Sequence, residues 1–221
     1  MNELLLRRRL AAITPVLPYD AQVEYLQASG NTVSGGYRMR IDTGFVPKNT
    51  TRVVMEFKDF TTDGRWLFGA RKALSDKAFG FYSDGSSTSA PTVQFDGGNI
   101  IYISSDYSLE SNGKVTIDMN GATKKVTLSS ELGSTITKSL NNGTFTAPVE
   151  LVLFGMNNNG SMLSLSDYKL YSCKIYDNGT LVRDYIPVRV AQVGYLYDTV
   201  GSQLYGNAGT GSFLFGNDVT A

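Results

Sequence analysis

Asn-Gly occurs at 112–113, 120–121, 142–143, 159–160 and 178–179, and Asp-Gly at 63–64, 84–85 and 96–97. Between these pairs the chain alternates apolar and polar residues. Asn-Gly and Asp-Gly suit tight hairpin turns because both central positions of a type I′ turn take positive φ. In TRVVMEF, Val53, Met55 and Phe57 point one way while Val54 and Glu56 point the other. In GKVTIDMNGATKKVTL, Val115, Ile117 and Met119 alternate with polar residues, and Asn120-Gly121 begins the return. Turn signals this frequent, with period-two runs between them, predict an all-β chain: a two-sheet antiparallel sandwich of jelly-roll type. VELVLFGM (149–156) is apolar at nearly every position, which predicts a central strand covered on both faces. At 221 residues a single sandwich is a reasonable domain.

The stretch CKIYDNGTLVRDYIPVR (173–189) looks rich in chemistry. Its pattern reads more simply as a hairpin, YKLYSCKIY returning as TLVRDYIPV around Asn178-Gly179. Arg183 and Asp184 are adjacent, so in a strand they face opposite sides and form no catalytic pair. Pro187 lacks an N–H, which predicts that the second strand reaches an edge or bends there. Cys173 alternates with Tyr171 and Ile175 and reads as core.

Two features of the composition narrow the function. The chain has no histidine, which removes the commonest general base, the commonest metal ligand and every Ser-His or Cys-His arrangement. One cysteine permits no intrachain disulfide and no multi-thiolate zinc site. Twenty basic residues balance twenty acidic ones, so no overall field steers the chain to nucleic acid or an anionic membrane. No apolar run is long enough to span a bilayer. Asp84, Asp96 and Asp106 are scattered, so no metal or cofactor is assigned.

The first twenty residues differ from the rest. In NELLLRRRLAAITP, Leu6, Leu10 and Ile13 recur at helical spacing, Asn2 can cap the start and Pro15 closes the segment. Arg7, Arg8 and Arg9 follow the first leucines, the reverse of a secretory signal. A helix this short is marginal alone in water. Two readings stand: a packing helix or frayed terminus, and an attachment segment docking on a partner or on copies of itself. The chain therefore divides into a helical or extended attachment segment (1–20), a sandwich (21–216) and a C-terminal tail (217–221).

LFGAR (67–71), CKIYDNGTLVRDYIPVR and GYLYDTVGSQLYGNAGTGSF (194–213), with EYLQASG (24–30) and IDTGFVPKNTTRVVMEF (41–57), resemble a domain recurrent in gut bacteria and their phages. That domain is similar to the concanavalin A-like lectin/glucanase jelly roll, also called laminin-G-like. The LLLRRRL…LPYDAQVEYL opening resembles the start of phage head or tail fibre components. The resemblance implies three function classes. The first is a non-enzymatic virion module, a homodimer or homotrimer or part of a larger assembly, anchored by residues 1–20 and binding glycans or a host surface. The second is a carbohydrate-binding domain on a gut bacterial surface. The third is a glucanase, whose relatives carry Glu-x-Asp-x-(x)-Glu on one strand. Retaining glycosidases need two carboxyls roughly 5 Å apart. The six glutamates here (3, 24, 56, 110, 131 and 150) show no such spacing, and Glu56 and Asp59 diverge along a strand. The expectation is a non-enzyme.

Sugar binding needs exposed aromatic faces flanked by amide and charged groups. The candidates are Trp66, Tyr82, Tyr102 and Tyr107, with Asn157, Asn158 and Asn159 in MNNNGS. Each has a bland alternative: Trp66 beside Leu67 and Phe68 as a core residue, the tyrosines as strand packing, the asparagines as loop formers.

Overall fold

The computed structural model describes residues 17–31, 39–60, 63–73, 76–85, 90–97, 100–103, 109, 113–141 and 143–220. In chain order the first strands are β1 Ala21–Gln22, β2 Leu26–Gln27, β3 Ile41–Asp42, β4 Arg52–Lys58, β5 Trp66–Arg71, β6 Ala78–Ser83, β7 Pro91–Asp96, β8 Ile100–Tyr102, β9 Val115–Asn120 and β10 Lys125–Ser130. They continue as β11 Thr135–Ser139, β12 Val152–Leu153, β13 Met156–Asn158, β14 Ser161–Leu163, β15 Lys169–Asp177, β16 Thr180–Val190, β17 Val193–Asp198, β18 Gln203–Tyr205 and β19 Leu214–Phe215. No helix occurs among the described residues.

The strands form two sheets stacked as a jelly-roll sandwich. The larger runs β11-β10-β9-β4-β15-β16-β17-β18, and the smaller β14-β13-β5-β6-β7-β8 with β12 and β3 beside β5. Alternation dictates what lies between them. Val53, Met55 and Phe57 of β4 are fully buried while Arg52, Val54, Glu56 and Lys58 are not. Val115, Ile117, Met119, Leu170, Cys173 and Ile175 extend that inward face. The smaller sheet answers with Phe68, Phe79, Phe81, Val93 and Phe95, and Phe57 meets Phe81 with ring centroids 6.4 Å apart. Each fully buried ring contributes about 1.5–3 kcal/mol relative to leaving it in water.

The 173–189 hairpin forms as expected. Asn178 and Gly179 have φ of 48° and 85°, so both turn residues take the left-handed conformation that the dipeptide favours. Cys173 is fully buried, and burial pushes its thiol well above the ordinary range. Arg183 faces Asp198 at 3.7 Å, whereas Asp184 faces Lys174 at 3.6 Å.

Three local expectations are corrected. Pro187 lies at neither an edge nor a bend: it pairs with Leu196 of β17 inside the larger sheet. It falls where the other neighbour of β16 changes from β15, paired as far as Tyr185, to β1, paired from Val188. No ladder partner requires an N–H at that seam. The seam is filled by both ends of the domain: β1, β2 and β19 enter there, and Val23 bridges Asp218. Residues 217–219 are bonded into it, with Glu24 N donating to Asn217 O and Val219 N to Gln22 O.

Asn120-Gly121 does not make a two-residue turn. Asn120 pairs with Lys125, so the return is four residues long, and the positive φ falls on Lys124. Gly121 is needed for closeness instead, since a Cβ there would lie 2.3 Å from Asn49 O. VELVLFGM is buried as expected, but it is not one strand. It reverses at Phe154, whose φ is 67°, so β12 runs antiparallel to β5 and β13 parallel to it. The Phe154 ring stacks on buried Tyr168 at 4.2 Å, and the Tyr168 hydroxyl accepts from Phe154 N while donating to Leu67 O.

Candidate functional site

The outer face of the smaller sheet brings several sequence candidates together. Ladder register places Trp66 opposite Tyr82, Tyr82 opposite Thr92, and Thr92 opposite Tyr102, making one row across β5, β6, β7 and β8. The next row is Gly69, Gly80, Gln94 and Ile100. A register shift between Trp66 and Phe68 explains how Trp66 reaches this face. A bulge sends Leu67 and Phe68 both into the core and re-aims the residue before them outward. Position next to Leu67 and Phe68 therefore misleads: Trp66 lies outside the inter-sheet core.

Trp66 is nonetheless only 5 % exposed. Its indole lies on a floor of two glycines, since a Cβ on Gly69 or Gly80 would come 2.6 Å from an indole carbon. Tyr82 stacks against it, with centroids 4.5 Å apart and planes 17° from parallel. The Arg71 guanidinium sits over it at 5.5 Å. Trp66 is thus the base of a stack rather than a free platform. Tyr82 is half-buried, and Tyr102 at 56 % is the exposed ring of the row. Burial, with help from Tyr102 and Asp84, pushes the Tyr82 phenol up to about 12, so it remains a neutral hydroxyl that both donates and accepts.

Polar groups border the row. Arg71 Nε donates to Asn158 Oδ1 at 2.8 Å, the cross-strand partner supplied by the parallel β13. Arg71 Nη1 donates to Gln94 Oε1 at 3.3 Å, and Gln94 is buried. Burial moves the Arg71 guanidinium below its ordinary value. Together the face offers one open aromatic ring, one neutral phenol, the Asn158 carboxamide and a planar cation, with Gln94 buried beneath.

The remaining candidates fall elsewhere. Asn157 is buried and fastens the β13–β14 loop, its Nδ2 donating to Glu150 O and its Oδ1 accepting from Gly160 N. Asn159 occupies the turn at φ 52°. Tyr107 and the attachment residues Leu6, Arg7, Arg8, Arg9, Leu10 and Ile13 lie outside the described residues. Arg71 and Gln94 were not singled out by sequence. The available signal was an arginine closing the apolar strand WLFGA.

The larger sheet carries a shallow groove of about 430 Å³ lined by Glu24, Lys58, Lys114, Glu131 and Tyr171. Ion pairs stand in and beside it. Lys114 pairs with Glu56 at 2.8 Å and Lys169 with Asp59 at 2.7 Å. The Tyr171 ring lies 5.1 Å below Lys114, and the Tyr25 ring 5.0 Å below Lys169.

No protein-family model matches the chain, and no curated protein matches it by sequence. Among solved structures it is similar to a Ruminococcus gnavus IT-sialidase CBM40 bound to a sialyllactose, at 14% identity and a TM-score of 0.44, covering 68% of this chain and 90% of that one. It is also similar to a point mutant of NanB sialidase from Streptococcus pneumoniae, at 12% identity and a TM-score of 0.44, covering 73% of this chain and 27% of that one. A NanB sialidase complex matches at 10% identity and a TM-score of 0.45, over 88% of this chain and 39% of the other. The chain thus spans less than half of either NanB structure. At this level of similarity the site has to be read from this chain's own residues.

Proposed function

We propose that this chain is a non-catalytic glycan-binding module whose ligand lies on the outer face of the smaller sheet. The observation that carries this reading is the row ending in exposed Tyr102, in register with the Tyr82–Trp66 stack and bordered by Arg71, Gln94 and Asn158. A pyranose presents an apolar C–H face and a rim of hydroxyls. Aromatic rings beside planar amide and guanidinium groups match both parts. The one close acidic pair that the sequence offered, Glu56 and Asp59, is engaged by cations, Glu56 by Lys114 and Asp59 by Lys169.

This favours a carbohydrate-binding surface domain over a purely architectural part. The anchoring role for residues 1–20, on a virion or a bacterial surface, stays a proposal of placement, as does assembly into a dimer or trimer. Light scattering of the chain with and without those residues tests it: a smaller assembly after their removal supports it, and an unchanged mass contradicts it.

A glycan array probed with the full chain tests the binding reading. Binders should appear, and Tyr82→Ala and Tyr102→Ala should each weaken them by about tenfold, equivalent to roughly 1.4 kcal/mol. An empty array, or binders indifferent to both substitutions, would overturn it.

A further inference from the structure

The arginines of this chain sort by what faces them. Arg40 is held by Asp42 at 2.8 Å, Arg52 by Asp118 at 2.7 Å and Arg189 by Asp218 at 2.7 Å; Arg183 lies 3.7 Å from Asp198. Arg65 donates to the backbone carbonyls of Asn31 and Leu165. Arg71 alone among these is half-buried with only neutral side-chain partners, the Asn158 and Gln94 amide oxygens, over an indole ring. A guanidinium carries five N–H donors. Two of those on Arg71 are taken, and the other three have no partner among the described residues.

Such an arrangement positions the cation without neutralising it. Asn158 and Gln94 hold the guanidinium by two hydrogen bonds, and it lies over the Trp66 ring, 5.5 Å from the centroid. On the same face Tyr82 is near enough to act electrostatically on the guanidinium, and Tyr102 follows Tyr82 along the row. Bidentate recognition of an oxyanion requires a planar fork held in this way. A neutral sugar would leave that charge uncompensated and partly desolvated.

We propose that the ligand is an acidic saccharide whose negatively charged group docks on Arg71 while its ring packs against Tyr82 and Tyr102. This rests on the glycan-binding reading above and names its substrate class. Carboxylate and sulfate share the needed chemistry, a compact oxyanion with adjacent acceptor oxygens.

Matched pairs titrated calorimetrically into the full chain test the assignment: sialyllactose against lactose, and sulfated lactose against lactose. Expected is a preference of at least about tenfold for one acidic member, with affinity falling as salt rises through screening. Whichever acidic member is preferred identifies the oxyanion. Arg71→Gln should abolish the preference for the acidic member, and Arg71→Lys should restore only part of it. Unchanged thermal melting of both variants confirms that the fold survives. Equal affinity for acidic and neutral members, or a preference insensitive to Arg71→Gln, would overturn the acidic assignment and leave the glycan reading intact. Binding of no saccharide of either kind, with an empty array, would overturn both.

Discussion

The two outer faces of the sandwich are built from similar residues and end in opposite electrostatic states. On the larger sheet three aromatic rings lie under cations, and each of those cations has its own carboxylate. Tyr176 lies under Arg52, which pairs with Asp118; Tyr171 under Lys114, which pairs with Glu56; Tyr25 under Lys169, which pairs with Asp59. On the smaller sheet Trp66 lies under Arg71, whose partners are amides. The proton affinities follow. Hydrogen bonds to carboxylates raise Arg52, Lys114 and Lys169, whereas burial lowers Arg71. A cation over a ring is therefore not in itself a sign of a site. What sets Arg71 apart from these three is that its side-chain partners among the described residues are amides and not carboxylates.

The contrast breaks most visibly at the glycine floor. Gly80→Ala places a Cβ 2.6 Å from Phe68 O and 2.6 Å from the Trp66 ring. Urea denaturation should show a loss of about 3 kcal/mol, because a backbone oxygen cannot step aside. Trp66 is the sole tryptophan, so its emission should shift to the red as the indole is lifted. Thr116→Ser, on the outer face of the larger sheet, should stay within about 0.5 kcal/mol of the parent.

Next in size is a ring-for-ring test. Tyr102→Ala should weaken glycan binding by about tenfold and Tyr171→Ala should leave it unchanged, measured by calorimetry. The reverse result would move the site to the groove of the larger sheet. Smaller still, Glu56→Gln frees Lys114 on that sheet. The pair is about a third exposed on each side, so the expected cost is roughly 0.5 kcal/mol with no change in glycan affinity. The smallest effect is in pH dependence. Lys114 is raised above its ordinary 10.5, so its contribution is complete below that pH and is lost as pH rises through the folded value. Glu56→Gln should flatten the alkaline limb of the stability profile, and an unaltered limb would show that the pair is not coupled to folding.

The fold was largely legible because its signals are local. Asn178-Gly179 takes the two positive φ values that its dipeptide predicts, and the alternation in β4 and β9 assigns their inward faces. What escaped was punctuation written in tertiary contacts. Phe154 reverses the chain inside an unbroken apolar run because Leu67 O and Tyr168 receive its N–H, and nothing nearby in sequence marks that. The bulge before Phe68 likewise turns Trp66 outward through pairing with β6. At the site, Tyr82, Tyr102 and Asn158 were visible as residue types. Arg71 was not, because its proposed role rests on having only amide side-chain partners among the described residues. Gln94 and Asn158 reach it only through strands distant in sequence, one of them running parallel.

Protein-observed NMR titration of the full chain with an array-selected acidic glycan tests the placement most directly. The shelf account predicts that the largest shifts fall on the Trp66 indole N–H, Arg71 Nε–H, the Gln94 carboxamide and the Tyr102 backbone amide, with Lys58, Lys114 and Tyr171 unmoved. Shifts concentrated on Glu24, Lys58, Lys114 and Tyr171 instead would contradict it.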